Sequence, residues 1–172
     1  MVRTLTGDLN IVTSWAYLNA EDLDTVKSIQ ELKILEQRWL DGTGPDQINI
    51  MYRARRTVTP STTTDDIDLA GVLTDVFGNT ISFTHIKEIV ILNRATVSGR
   101  DLLIGAAAAN AWSQPFNGSA TAQDDLWASG IWVRSAPLSG IPVTAGSSDT
   151  LRVTHNGGSD DIVYDIIIKG VE

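Results

Sequence analysis

The stretch of residues 62–92 constrains the fold more than any other part of the chain. Apolar and polar residues alternate over residues 66–69 and 81–84, which is the two-residue period of a strand with one buried face. Residues 86–92 are nearly all β-branched or apolar, as in a strand covered on both faces. Residues 75–79 contain a Gly-Asn pair that tolerates positive φ. The stretch predicts two strands joined by a tight turn, a hairpin in the middle of a β-sandwich.

The C-terminal residues predict a second hairpin. In residues 150–155, Leu151 and Val153 alternate with polar side chains, and residues 162–169 are apolar at every second position. Residues 156–158 read Asn-Gly-Gly, a sequence typical of tight turns. We therefore predict an antiparallel pair of strands joined by that turn.

One short helix is predicted near the N-terminus. Asn19 is a favourable N-cap, acidic residues follow it in what would be the first turn, and residues 20–32 have apolar residues at helical spacing, although the stripe drifts. An alternative continues this helix to Leu40. We prefer a change to strand near Lys33, because apolar and polar residues alternate from there on.

A third hairpin is predicted around residues 41–46. These residues are dense in turn formers, with two glycines, a proline and two aspartates. Residues 35–39 before them and residues 48–58 after them both show strand alternation. The two segments would pair with each other across the turn.

Further short strands are predicted at residues 101–104 and 130–134, separated by residues 106–127, which carry little strand signal. Short strands at regular spacing, with turn residues between them, are typical of an all-β sandwich or barrel. The chain is therefore predicted to be all-β: an antiparallel, jelly-roll-like β-sandwich formed by residues 34–172. Residues 1–33 would form an N-terminal arm that includes the short helix.

The composition excludes several classes of protein. The 172 residues include no cysteine, which excludes disulfides and thiolate metal sites. A net charge of −8 argues against broad binding to nucleic acid or to an anionic membrane. No apolar run approaches the ~20 residues that cross a bilayer, and the N-terminus lacks the apolar core of a signal peptide. We expect a protein that folds inside the cell, with neither nucleic acid nor a membrane as its partner.

The acidic clusters and the histidines do not form a recognisable reaction centre. Residues 65–68, 124–125 and 160–161 are rich in aspartate, which suits Ca²⁺ ligation, glycoside hydrolysis or simple capping of turns. Their spacing matches no dedicated calcium loop. His85 is more typical of a hydrogen-bonded sheet residue than of a catalytic base. We predict no catalytic residue, no metal and no cofactor.

Three arginines form the only basic cluster. Strand alternation places Arg53 and Arg55 on one face and Arg56 on the other. In an acidic protein these side chains are suited to carboxylates on a neighbouring copy or on another protein. Pairing with aspartates of the same chain is the equal alternative.

Aromatic residues supply the remaining candidate contacts. Trp15 and Tyr17 in the N-terminal arm are predicted to dock on the sandwich or on a neighbouring molecule. Trp112, Phe116 and Trp127 flank the long irregular stretch. Such side chains belong to the local core, to a subunit interface, or to a platform on which a sugar ring stacks.

The order of several segments resembles a known group of proteins. LDGTGPDQ, RRTV, DDIDLAGVLTDVFGNTISFTHIKEIVI, IPVTAGSSDTLRVTHNGG and VYDIIIKG follow one another over residues 40–170. The most specific pieces are DLAGVLTD at residues 68–75 with Phe77 and Gly78, and VTAG at residues 143–146. This order resembles small β-rich virion proteins of tailed bacteriophages and prophages.

The resemblance implies a non-enzymatic virion component, made in the cytoplasm of a host bacterium. A capsid decoration or cement protein is the first expectation, and a neck, tail or fibre component is the alternative. Its partners would be copies of itself, in a trimer or other symmetric oligomer, and a capsid or tail protein. A carbohydrate-binding module for host recognition is a further alternative.

Overall fold

The computed structural model describes the backbone of residues 5–20 and 25–172, and the side chains of residues 5–11 and 36–172. Within that part of the chain nearly all regular structure is strand, which confirms the all-β class. The strands are β1 (Gly7–Ala20), β2 (Thr25–Asp41), β3 (Gln47–Ile48), β4 (Ile50–Val58), β5 (Thr64–Asp68), β6 (Leu73–Thr74), β7 (Thr80–Ile81), β8 (His85–Asn93), β9 (Asp101–Gly105), β10 (Gln123–Leu126), β11 (Ile131–Ser135), β12 (Ile141–Pro142), β13 (Thr150–Asn156) and β14 (Ile162–Val171). A 3-10 turn spans Gln114–Phe116.

Two sheets form a sandwich-like body around one core. The five-stranded sheet has the order β11-β8-β14-β4, with β12 also paired to β8, and the four-stranded sheet has the order β10-β9-β13-β5. The core cluster takes buried side chains from both sheets, among them Ile91 and Ile166 from the first and Ile104 and Val153 from the second. The more specific assignment of a jelly-roll topology stays a prediction.

The predicted short helix is wrong over residues 25–32. These residues belong to β2, which pairs antiparallel with β1 from Gly7 opposite Trp39 to Ala20 opposite Thr25. The apolar residues here follow the helical period only weakly. Pairing with β1 gives the backbone amides and carbonyls their hydrogen-bond partners, which an amphipathic helix would otherwise have to supply. The first part of the predicted helix, residues 21–24, lies outside the described residues.

The two strands predicted at the C-terminus are present, but they do not form a hairpin. β13 pairs with β5 and β9, whereas β14 pairs with β8 and β4 in the opposite sheet. The connection is therefore an arch that crosses from one sheet to the other. Gly157 adopts φ +113°, and a Cβ there would lie 2.4 Å from the carbonyl oxygen of Gly99. The glycine allows this close crossing.

The predicted central hairpin is corrected in the same way. The turn at residues 75–79 is present, and the Asp75 carboxylate accepts hydrogen bonds from the amides of Phe77 (2.8 Å) and Asn79 (2.9 Å). It joins the two-stranded ribbon β6–β7, while β5 and β8 lie in opposite sheets. The third predicted hairpin is also wrong, because β2 pairs with β1 and, in parallel, with β3 rather than with β4.

Strands β1 and β2 form a long two-stranded ribbon, which we call the arm. The arm has 14 residues in β1 and 17 in β2, and its ladder contains one irregularity between Ile11 and Val12. No helix in the described ranges is long and apolar enough to cross a membrane. The arm meets the sandwich on the side of the five-stranded sheet that faces away from the core.

Candidate functional site

One surface that combines exposed apolar side chains with charge is the outer face, the side of the five-stranded sheet that points away from the core. Strand register arranges its side chains in rows across β4, β14, β8 and β11. The three rows are Met51, Lys169, Glu88 and Ser135; Arg53, Ile167, Val90 and Val133; and Arg55, Asp165, Leu92 and Ile131. We call the first the covered row and the other two the open rows.

The base of the arm lies on the covered row at Lys169 and Glu88, whereas Ser135 at the end of that row is exposed. Glu88 accepts a hydrogen bond from Trp39 Nε1 at 2.8 Å and forms an ion pair with Lys169 Nζ at 2.7 Å. All three side chains are buried, and Lys169 also donates to the carbonyl of Asp8 at 3.4 Å. Burying two charges in an apolar sheet is costly unless they are paired and hydrogen-bonded. This network therefore fixes the base of the arm to the sheet.

The open rows leave an apolar surface beside that base. Ile131 is 63% exposed and Ile167 is 37% exposed, while Val90, Leu92 and Val133 are partly buried between them. A shallow groove of about 400 Å³ follows the seam between β4 and β14 at one side of this surface. These side chains leave apolar surface that a further element can cover, and its burial would be favourable.

Arginines lie at the β4 edge of the open rows and beside Asp165. Arg55 binds Asp165 through two hydrogen bonds of 2.7 and 3.1 Å, and Arg94 Nε lies 3.6 Å from the same carboxylate. The hydrogen bonds from Arg55 hold the pKa of Asp165 below its usual value. Arg53 is exposed and makes no ion pair with any side chain that the structure describes. Three guanidinium groups against one carboxylate give this surface positive charge in a chain of net charge −8.

Arg56 points to the other side of β4, as alternation predicts, and there it links the two sheets. Its guanidinium makes two 2.6 Å hydrogen bonds to Asp65 of β5 and donates to the Tyr52 hydroxyl at 2.9 Å. The Tyr164 hydroxyl donates to the same carboxylate at 2.7 Å. Arg56 is thus paired within its own chain, which is the second of the two alternatives that the sequence left open for it.

Burial and pairing act in opposite directions on this cluster. Burial alone would raise the pKa of Asp65, but the hydrogen bonds from Arg56 and Tyr164 outweigh it, so the pKa lies below its usual value. Burial, followed by the charge of Asp65, raises the pKa of the Tyr164 hydroxyl. The cluster therefore holds an ionised carboxylate between the sheets and keeps its tyrosine neutral.

The three aromatics of the long irregular stretch do not form one platform. Trp112 is 1% exposed and donates from Nε1 to the carbonyl of Pro142 at 2.8 Å, and Phe116 is buried against Trp132 with ring centroids 6.1 Å apart. Both belong to this chain's own core, so neither is available to a partner. Trp127 alone of the three is exposed. The side chains of Trp15 and Tyr17 lie outside the described residues.

The acidic clusters resolve mainly into ion pairs. Asp66 binds Arg152 through hydrogen bonds of 2.6 and 2.7 Å, Asp124 pairs with Arg134, and Asp160 pairs with Arg100. Among the described residues, no three histidine or acidic side chains come together in a way that could hold a metal ion. These carboxylates connect neighbouring strands and loops of the fold.

Sequence reasoning missed the residues that seat the arm. Glu88 interrupts the apolar run of β8, and Lys169 interrupts that of β14. A charged residue inside a strand that otherwise reads as covered on both faces, such as Glu88 after Lys87 in β8, is the signal that could have identified the pair, because a buried charge requires a partner.

The outer face thus presents exposed apolar side chains next to positive charge. Comparison of the chain with family models, with curated proteins and with solved structures finds no match. The assignment of this site therefore follows from its own geometry and charge.

Proposed function

We propose that the protein is a non-enzymatic structural component of a tailed-phage virion, most of all a capsid decoration or cement protein that self-associates and binds the shell. The observation that carries the proposal is the half-covered outer face, whose open apolar rows continue directly from the seated base of the arm. The order of segments that resembles phage virion proteins supports the same proposal. A neck, tail or fibre component is the alternative.

The open rows are too small to form a stable interface alone. Two rows across four strands cover roughly 15 by 10 Å, or about 150 Å². A standard interface buries roughly 800 Å² on each partner. A second element must contribute, and the 14-residue β1 strand, at ~3.3 Å per residue, makes the arm roughly 46 Å long.

Charge supports the arm of a second copy as the occupant of the open rows. Residues 7–41 contain seven acidic and three basic residues, whereas the open rows have an excess of arginine. Opposite charges on the two surfaces favour and orient their encounter. An arm on one copy and a face on the next form a head-to-tail contact, which closes into a ring if the rotation allows.

Self-association is tested with a variant that shortens the arm and keeps its base. Residues 13–32 are replaced by Asn-Gly, so that Val12 and Lys33, which are paired in the ladder, remain joined by a tight turn. Light scattering coupled to size exclusion is expected to show an oligomer for the natural chain and a monomer for this variant.

A second variant tests the face itself. Ile167→Glu places a charge on the open rows and is expected to prevent association. Leu138→Glu serves as its control, because Leu138 is also exposed (68%) but lies in the loop between β11 and β12. Binding of each protein to purified phage heads and tails then distinguishes a decoration protein from a tail component. A natural chain that is strictly monomeric and binds neither particle would refute the proposal.

A further inference from the structure

Trp127 lies at the surface in a hydrogen-bonded turn. It follows β10, and the turn closes with a 2.9 Å hydrogen bond from the Gly130 amide to the Trp127 carbonyl. The residue is 70% exposed. Its apolar ring therefore offers a surface on which a ligand can stack, and what lies beside the ring decides which ligand fits.

A shallow, polar cavity of about 450 Å³ lies beside the ring. Besides Trp127 it is lined by Thr96, Ser98, Asp101 and Ser129, together with small neighbouring residues. One oxygen of Asp101 accepts from the Ala128 amide at 2.9 Å, which leaves the other oxygen available. Within the described part of the chain, the hydroxyls of Thr96 and Ser98 make no hydrogen bond.

A buried asparagine holds the two loops that form this cavity. Asn93 donates to the carbonyls of Arg100 (2.9 Å) and Leu126 (3.2 Å) and accepts from the amide of Ala95 (3.0 Å). Ser129, at φ +60°, donates to the Ala95 carbonyl at 2.9 Å. These bonds tie residues 94–101 to residues 126–130, so the backbone that carries Trp127 is held next to the loop that lines the cavity.

We infer that this site binds a neutral saccharide, with the apolar face of a sugar ring on Trp127 and its hydroxyls on Asp101 and Ser98. An apolar platform next to hydroxyl and carboxylate groups matches a ring that has one C–H face and a polar edge. A protein contact centred on a tryptophan would more typically be surrounded by apolar side chains. Because Asp101 is the charged group in the lining, sugars that carry a carboxylate are disfavoured by repulsion.

The experiment screens the whole natural chain against an array of neutral and acidic glycans, followed by calorimetric titration of the best binder. Trp127→Ala is expected to weaken binding by more than about tenfold, since it removes the stacking surface. Asp101→Asn is expected to weaken binding by about tenfold to hundredfold through loss of a charge-assisted hydrogen bond. Trp127→Phe keeps an aromatic ring and should retain part of the affinity.

Leu138→Ala, another exposed apolar residue outside this cavity, is the matched control and should bind as the natural chain does. Circular dichroism verifies that each variant is folded. The inference is overturned if no glycan binds the natural chain more tightly than Trp127→Ala. It is also overturned if Trp127→Ala abolishes self-association while no saccharide binds, because Trp127 would then be a protein contact.

Discussion

Arg55 and Arg56 are consecutive residues of β4, and each binds an aspartate through two hydrogen bonds, yet their surroundings differ. The Arg55 side chain is 63% exposed on the outer face beside Asp165, whereas the Arg56 side chain is 28% exposed between the sheets beside Asp65. Only the inner pair has tyrosine hydroxyls as further partners. Solvent screens an exposed pair, while an inner pair that loses one member leaves a charge without compensation. The inner pair should therefore act on stability and the outer pair on recognition.

The largest loss of stability is expected at Glu88. It tests whether burial, and not the face of the sheet, decides how much an ion pair contributes to stability. Glu88 lies on the outer face, as Asp165 does, but the arm covers it. Glu88→Gln leaves the buried Lys169 ammonium without its counter-charge and is expected to lower the free energy of unfolding by about 3 to 5 kcal/mol. Urea unfolding measures this, with Asp165→Asn as the control at a less buried carboxylate. Equal stability of the two variants would contradict the argument.

A smaller loss is expected at the inner pair, because Arg56 keeps some contact with solvent. Asp65→Asn removes the charge that the guanidinium faces and is expected to cost about 2 to 4 kcal/mol. Asp66→Asn is the matched control, since Asp66 lies next in β5 but is more exposed in its pair with Arg152. The control should stay within about 1 kcal/mol of the natural chain in the same urea titration.

The stability difference between the natural chain and Asp65→Asn should depend on pH. The pKa of Asp65 in the folded protein lies below its unfolded value of about 3.9. The stabilisation is therefore present above about pH 4 and is lost as pH falls through the folded pKa. Urea titrations are expected to give a constant difference from about pH 5 to 8, which shrinks below about pH 4. A difference that persisted unchanged in acid would show that the charge of Asp65 is not its source.

The smallest effect on stability is expected at the outer pair. Arg55→Ala should leave the melting temperature close to that of the natural chain, because its ion pair is solvated. The same substitution should weaken self-association, measured by analytical ultracentrifugation, since it removes a guanidinium that borders the open rows. Arg55→Lys keeps the positive charge but cannot make both hydrogen bonds to the carboxylate. Its self-association should therefore be intermediate between those of the natural chain and Arg55→Ala. A large loss of stability from Arg55→Ala would remove the distinction between the inner and outer pairs.

Alternation identified most strands of the sandwich but not their partners. Leu151 and Val153 in β13, and Ile162 and Ile166 in β14, face the core as the two-residue period predicts. The same alternation and the same Asn-Gly-Gly turn fit a hairpin within one sheet and an arch between two sheets. The choice depends on which strands from distant parts of the chain lie beside each one, and local sequence does not contain that information.

For the candidate site too, the sequence predicted the face on which a side chain lies but not the residue it contacts. The period of β4 placed Arg53 and Arg55 on one face and Arg56 on the other, but the pairing of Arg56 depends on Asp65 in the opposite sheet. Trp112 and Trp127 occur in similar irregular sequence, and only the course of the loop buries one and exposes the other. Solvent exposure in an irregular segment follows from tertiary packing, which no periodicity reports.

The arch between β13 and β14 has a consequence for synthesis on the ribosome. Both strands are interior members of their sheets. Without them, the first sheet separates into β4 and the group around β8, and the second separates into β5 and the pair β9–β10. A nascent chain that ends at residue 149 thus cannot complete either layer, and cooperative folding must wait until residues 150–171 emerge. The strand pairs that β13 and β14 then form all join segments that are far apart in the sequence. Folding should therefore be slow, on the order of milliseconds to seconds.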